Sequence, residues 1–470
     1  MKKLFSLILV LTMVLSLCAC SNSGSGSPET TAPKAADGLQ VGYASINITP
    51  DYSVGLGGYS DDDTRRSEGF VQYIYLFCVA VRSGDETILM FEQDKCGISQ
   101  TDIDSMRESV TAATGIAADK IFVGGTHGHS CPSYTSDANG KKYRQFVMDS
   151  AAEAAKAAIA DLAPATMQVA MPTIEKMTFV RHYLMMDGTY AGSNFGDFSK
   201  GIVDHAREAD CRMILLKFDR PEEKQDILMV NWQGHPDSGS EIGYNLISPS
   251  WIGPMREKLA KDSGMLVAYF SGASGDQNIR SQIQEENPYS TYIKYGEDLA
   301  NIAFSHLGEL QPVGGTEIKT HQVQFDAEVD HSWDHMLEQA NEVFDLWKSA
   351  GKSAGDALGK QYNFTSSYQA RAIRNRAKMA ATRRLELNAF SIGEVGFITG
   401  TMEMFSTTSM YARANSPFDT TFVITSSGMG YIPCKEAYDY RSYEADTSFY
   451  AKGTAEKLAE LYVEMLNKIR

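Results

Sequence analysis

The segment "IFVGGTHGHSCPS", residues 121–133, sets His127 and His129 two residues apart, behind an apolar run that ends in two glycines. Only nine of the 470 residues are histidines, so the pairing needs a reason. On a strand this spacing puts both imidazoles on one face, and in a loop it lets both reach one point. Gly124 and Gly125 allow the backbone to crowd a ligand. Imidazole is the commonest metal ligand, and a second imidazole beside it can give or take a proton. His-x-His alone is a weak signal, because two solvated loop histidines read the same way. His235 in "NWQGHPDSGS" repeats the context of strand, glycine, histidine, and Glu403 in "GTMEMFSTT" follows another apolar run. A carboxylate in that setting either binds metal or stays solvated.

Other candidates are poorer. His331 and His335 in "HSWDH" stand at i and i+4, but the glutamate of an H-E-x-x-H zinc helix is missing. They read as a solvated helix start after Asp330. "GLGGYS" (55–60) lacks the Lys-Ser/Thr ending of a phosphate loop. No glycine fingerprint for a dinucleotide is present. "GASGD" is not a G-x-S-x-G nucleophile elbow.

These motifs must be held by surrounding elements. Short runs rich in β-branched and aromatic residues read as strands at 73–81, 87–94, 121–125, 227–233, 265–270, 395–400 and 421–427. Helical patterns fall at 102–115, with an Asp start and a Gly stop, at 143–162, and at 454–470. In the last, Leu458, Leu461, Tyr462, Met465, Leu466 and Ile469 form one apolar stripe. The alternation predicts an α/β fold with a sheet core and flanking helices. "RLELNAFSIGEVGFITG" reads as two strands turning tightly at Gly393, so the sheet is expected to be mixed. Six of the runs end in polar motifs: Asp94, "THGHS", "GHPDS", "SGASGDQN", "TMEMF" and "GMGYIP". Ligands in open α/β sheets bind beyond the carboxyl ends of strands. The motifs are therefore expected to converge there on one metal site.

Composition bounds the function. Apolar residues make up 43% and charged residues 22%, as in a globular enzyme-sized body. A net charge of −16 disfavours nucleic acid as a partner. The basic cluster Arg371, Arg374, Arg376, Lys378, Arg383 and Arg384 is either an anion patch or a solvated helix face. Cys78, Cys96, Cys131, Cys211 and Cys434 are odd in number and contain no Cys-x-x-Cys pair, which argues against a dense disulfide framework. Residues 1–19 have the form of a secretory signal, with Lys2 and Lys3 before an apolar core too short to span a bilayer. The ending at Cys20 resembles a bacterial lipoprotein signal, which predicts lipid on that thiol and an extracytoplasmic, membrane-anchored protein. Residues 20–38 read as a flexible Ser/Gly/Pro/Thr tether and 39–470 as one catalytic domain.

The motifs "INITP", "GGYSD", "THGHS", "VRHYLMMDGTY", "NWQGHPDS", "SGASGDQN", "MEMFSTTSMYAR" and "GMGYIPCKEAYDYRSYE" follow one another from about Val41 to Glu444. In this order they resemble the neutral/alkaline non-lysosomal ceramidase N-terminal domain family. The resemblance implies one Zn2+ held by His127, His235, Glu403 and Tyr431. In the family the tyrosine ligand lies twelve residues before a second active-site tyrosine in a "YE" pair, as Tyr431 lies before Tyr443 and Glu444. It also implies catalytic roles for His129, Tyr443 and Arg181. Two imidazoles, a carboxylate and a phenolate suit zinc, whose bound water ionises near neutral pH. Such a water would attack an N-acyl amide carbonyl, while His129 and Tyr443 stabilise the oxyanion or move the proton. Asp276 would orient a ligand or cap a turn, Asp94 is equally read as a strand-end structural group, and Cys131 either approaches the metal or is simply a small residue. Where lipid-cleaving members carry a serine, "SGASGDQN" has Gly272, with Ser274 close by, so a serine nucleophile is not expected. Those members also carry a further C-terminal β-sandwich domain, whereas Glu444 here is followed only by the amphipathic helix, so the resemblance does not settle ceramide as the substrate. The expected substrate is a small-molecule or lipid-like N-acyl compound. The competing expectations are a zinc hydrolase of an ester or of a cell-wall or glycan amide, and a surface-binding lipoprotein without turnover.

Overall fold

The structure is a computed structural model that describes residues 38–59 and 65–470. The leader, Cys20 and all of the tether except Gly38 lie outside the described residues. The described residues belong to one packed unit spanning Asp37–Arg470.

Three sheets form the core. The first orders its strands as Ile121–Gly125, Glu86–Gln93, Tyr75–Ser83, Leu39–Asn47 and Ala163–Pro164. The second runs Leu266–Ser271, Ile227–Trp232, Ile214–Asp219, Thr166–Ala170 and Gln311–Val313. The third runs Ile318–Glu328, Thr382–Ile392, Val395–Gly400 and Thr420–Thr425. Each sheet turns one face to a shared core, in which Val79, Met90 and Phe122 meet Leu216, Met229 and Phe270 of the second sheet and Phe390, Phe397 and Phe422 of the third. Phe122 stacks on Phe390 at 4.0 Å and Phe390 on Phe397 at 4.5 Å.

Helices cover the opposite faces. Gln100–Thr114 and Ala138–Ala160 bury Met106, Val110, Val147 and Ala151 on the first sheet. Ile252–Ser263 and Tyr292–Ser305 cover the second. Thr454–Ile469 buries the predicted stripe of Leu458, Tyr462, Met465 and Leu466 on the third. The expected mixed α/β architecture is present, but as three sheets. A strand apolar on both faces reads identically whether the layer above it is a helix or another sheet, which is why the sequence suggested one sheet with two helical layers.

The strands that carry the polar motifs are three parallel pairs, one in each sheet: 86–93 with 121–125, 227–232 with 266–271, and 395–400 with 420–425. The strands 121–125, 266–271 and 420–425 are all sheet edges and adjoin one another. Polar cross-links hold the seam. Asn231 Nδ2 donates to the carbonyls of Phe270 and Val423, both at 2.8 Å. Thr425 Oγ1 donates to Gly272 O at 3.2 Å, and the Ser271 N–H donates to Glu92 Oε1 at 3.1 Å. Parallel neighbours share a direction, so their carboxyl ends open on one side and deliver six loops to it.

Candidate metal centre and active site

His127 leaves the 121–125 strand with φ 62°, in the left-handed region that a non-glycine residue adopts at a cost. Its backbone N–H donates to Lys95 O at 2.9 Å, and its Nδ1–H donates to the Cys96 carbonyl. His235, behind the 227–232 strand, donates Nδ1–H to Ser274 O at 3.0 Å. A backbone acceptor on Nδ1 fixes the tautomer and leaves the Nε2 lone pair facing outward. Both Nε2 atoms point at the same place. His129 Nε2 is 3.2 Å from His127 Nε2 and 3.1 Å from His235 Nε2, and the three rings stand nearly edge to face.

Glu403 joins them from just beyond the carboxyl end of Val395–Gly400, with Oε1 3.1 Å from His127 Nε2. Glu403 and Tyr431 are register partners on two short parallel strands, Glu403–Met404 and Tyr431–Ile432. His127, His235 and Glu403 offer ligand atoms within 4.8 Å of one another. All are buried, at 4%, 1% and 6% exposure. Glu403 Oε1 makes no hydrogen bond despite its closeness to His127. The buried Glu403 Oε1 has no donor, and the Nε2 atoms of His127 and His235 face the same point with only His129 Nε2 in reach, an arrangement that a cation resolves. The donor set of two imidazoles, a carboxylate and a phenol fits zinc.

Burial dominates the electrostatics of these groups. Burial lowers the pKa of His127, but the adjacent Glu403 more than offsets it and the net shift is upward. Burial drives His235 well below its usual value, with His127 and Arg181 adding. Burial pushes His129 down to about 4, and its Nδ1 has no partner. His129 thus lacks the backbone acceptor that orients the other two. Burial, reinforced by Glu403, raises the Tyr431 phenol well above its usual range, and Arg181 opposes.

Arg181 is fully buried. Its Nη2 donates to Tyr431 Oη at 3.1 Å and to Gly275 O at 2.8 Å, and its Nε lies 2.8 Å from Glu444 Oε1. Glu444 Oε2 is also 2.8 Å from His182 Nε2. Burial alone would raise the Glu444 carboxyl, but Arg181 and His182 hold it far below the usual carboxylate range. Tyr443 lies with its ring 6.0 Å from that of Tyr431, and burial keeps its phenol above its ordinary value.

These groups line a cavity of about 310 Å³ that reaches His129, Arg181, His235, Tyr431 and Tyr443. Gly58 (φ +105°) lets the chain pass so close to His129 that a Cβ there would sit 2.7 Å from the His129 Cβ. Tyr59 then packs edge-on to His129 at 5.1 Å and donates its hydroxyl to Asp237. Gly58 and Tyr59 of "GLGGYS" therefore form a wall of the site.

Comparison with solved structures gives strong matches, among them two ceramidase structures. The neutral ceramidase from Pseudomonas aeruginosa aligns with a TM-score of 0.66 at 15% identity, over 93% of this chain and 75% of that one. This chain has the neutral-ceramidase fold. A second structure, a ceramidase complexed with C2, aligns with a TM-score of 0.65 at 15% identity, over 92% of this chain and 76% of that one. No family model and no curated protein matches the sequence.

Within this neutral-ceramidase fold the remaining candidates take structural places. Asp94 accepts both Nη atoms of Arg256, at 2.9 and 2.7 Å, and ties two helix-bearing layers together. Asp276 accepts from the Ser406 N–H at 2.7 Å and from Arg207 Nη2 at 2.8 Å, so it caps the helix that follows Glu403. Cys131 donates its thiol to Ser248 O at 3.5 Å; the thiol grouped with His127 and His129 is that of Cys96, which the sequence did not single out. All five described cysteines are free. A Cβ on Gly272 would fall 2.9 Å from Gln233 Oε1, so a serine there would displace its neighbour. His331 and His335 do not converge: one pairs with Asp334 at 2.9 Å and the other donates Nδ1–H to Ser332 O at 3.0 Å. The sequence also missed the parts played by Tyr59, Glu444 and His182. The adjacent Arg181-His182 and Tyr443-Glu444 pairs were visible, but not that they meet.

Proposed function

We propose that the protein is an extracytoplasmic, zinc-dependent hydrolase of the neutral-ceramidase type that cleaves an N-acyl amide bond. The observation that carries this is the convergence of the buried His127, His235 and Glu403 ligand atoms beside Tyr431, on the side where three parallel strand pairs end. Zinc in that cradle supplies Lewis acidity toward the scissile carbonyl and makes the attacking water acidic enough to ionise near neutral pH.

The chain's own groups do the rest. His129 Nε2, neutral because it is buried, takes the water proton and returns it to the leaving nitrogen. Tyr443 stays protonated and lines the cavity, so its hydroxyl donates to the developing oxyanion. Arg181 donates to Tyr431 Oη and stabilises the phenolate needed for ligation. Glu444 and His182 hold Arg181 in that pose. The cluster at Cys20 supports anchoring through lipid on the mature N-terminus.

The test is amine release from a panel of N-acyl amides and matched esters by the purified chain. Chelation should abolish amide cleavage and zinc should restore it, and His129→Ala should be inactive. Turnover that survives chelation, or that acts on esters alone, contradicts the proposal. Radiolabelled palmitate should enter the full-length protein but not Cys20→Ser.

A further inference from the structure

The six basic residues clustered in the sequence between 371 and 384 do not act as one patch. Arg374 donates to Asn341 Oδ1 at 2.6 Å, Arg376 donates to Ser448 O at 2.6 Å, Arg383 donates to Met429 O at 3.3 Å, and Arg384 pairs with Asp326 at 3.0 Å. Lys378 is exposed. Arg371 differs from all of these. It projects from the helix Ser367–Arg376 into the cavity that also holds His129 and His235. Its guanidinium lies 4.9 Å from the Tyr368 ring centroid and 5.5 Å from that of Trp347. Among the described residues it has neither a hydrogen-bond acceptor nor a carboxylate partner.

The other cations around the cavity are already neutralised. Arg181 is paired with Glu444, Lys352 with Asp356 at 2.5 Å, and Lys200 with Asp187. The carboxylate of Asp237 accepts the Tyr59 hydroxyl. Among the described residues Arg371 is therefore the cation of this cavity without a carboxylate partner, on a wall that also carries the Asp237 carboxylate, in a chain whose net charge is −16. Two aromatic rings pre-orient its planar donor edge, which matches the two oxygens of a carboxylate. A doubly charged group would call for more unpaired cations than the wall has. A neighbouring cavity of about 260 Å³ shares Asn194, Phe195 and Tyr443 with the first and adds Thr189, Asp197 and Ser442. Space leading from the site on that side is polar, unlike a channel for a hydrocarbon chain.

We propose that the substrate is an N-acyl compound bearing a carboxylate, and that Arg371 is the residue that selects it. This rests on the hydrolase reading for the bond cleaved, but the recognition itself can be tested without turnover. Calorimetric titration of the zinc-loaded protein would compare an N-acylglycine with the matching N-acylglycinamide, and released amine would be measured in the same samples. The acid should bind roughly tenfold more tightly than the neutral amide, the order expected for one charge-assisted pair. Arg371→Met should bring the two affinities together, and Arg371→Lys should keep part of the difference. Because Arg371 makes no hydrogen bond or ion pair among the described residues, and Met and Lys keep an aliphatic stem against the two rings, both variants should stay close to the parent in circular dichroism and melting temperature. Equal affinities in the parent, a preference that survives Arg371→Met, or no binding of either compound overturns the proposal. Tight binding of the acid without amine release leaves the proposal standing and rejects the hydrolase reading.

Discussion

Glu444→Gln isolates the link between the buried ion pair and the metal cradle. Glu444 is 2% exposed at its side chain, and its two oxygens lie 2.8 Å from Arg181 Nε and 2.8 Å from His182 Nε2. The variant keeps the shape but removes the charge. Arg181, also 2% exposed, is left as a buried cation without its counter-ion. Breaking a buried pair from one side costs about 3–5 kcal/mol. Glutamine retains one hydrogen bond, so a loss near the lower end, about 3 kcal/mol, is expected. Arg181 also donates to Tyr431 Oη at 3.1 Å, and groups that orient a ligand are worth roughly 10–100-fold in metal affinity. Melting curves of the metal-free protein and zinc titrations against a competing chelator measure the two effects separately. The pH dependence adds a third check. The folded Glu444 carboxyl lies below its unfolded value of about 4.3, so its stabilisation is complete above that pH and drains away as pH falls toward the folded value. The variant should lose stability at pH 7 and show a smaller further loss in acid. Unchanged melting together with unchanged zinc affinity would refute the coupling of Glu444, Arg181 and Tyr431.

Three further outcomes are expected. Gly58→Ala places a methyl group 2.7 Å from the His129 Cβ at a backbone φ of +105°, so kcat should fall at least about tenfold with zinc content unchanged; equal kcat would show that His129 is not held by this contact. Glu92 is buried, and burial raises its pKa well above the ordinary value. Its favourable share of stability is therefore present below pH ~4.3 and lost as pH rises through the folded pKa, at about 1.4 kcal/mol per pH unit in that window. Glu92→Gln should leave the melting temperature unchanged at pH 4 and raise it at pH 8, and the opposite pH trend would show that the carboxyl is ionised in the fold. His129→Ala should abolish turnover while keeping the metal, and loss of both together would make His129 a ligand.

The strands that build the site were the most legible part of the fold. Runs such as 121–125 and 227–233 are short, apolar and bounded by glycine or polar motifs, and the structure keeps their limits to within two residues. Leu39–Asn47 and Ile318–Glu328 escaped notice because polar residues alternate through them, as "IKTHQVQFDAE" shows with its half-exposed pattern. The helix Ala138–Ala160 starts five residues before the apolar periodicity does, since its first turn is capped by Asp137 on the Gly140 N–H and carries polar residues. In the site, residues immediately following strands were found from pattern, whereas Tyr431 came through family resemblance. The Glu444–His182 contact joins residues 262 apart, and nothing local in either segment encodes the other. The open reading of Arg371 as anion patch or solvated face could not be narrowed without knowing which of six neighbouring cations faces the cavity.

The account turns on whether the four side chains at 127, 235, 403 and 431 hold one cation. Zinc content by plasma mass spectrometry, paired with X-ray absorption at the zinc edge, tests this most directly. The parent protein should carry one zinc per chain with only nitrogen and oxygen neighbours near 2.0–2.1 Å, about the usual Zn–N and Zn–O distances. His235→Ala and Glu403→Gln should be nearly metal-free. A sulfur neighbour at about 2.3 Å would move the metal to the group of Cys96, His127 and His129. That result, or a parent protein that takes up no zinc at all, would contradict the proposed centre.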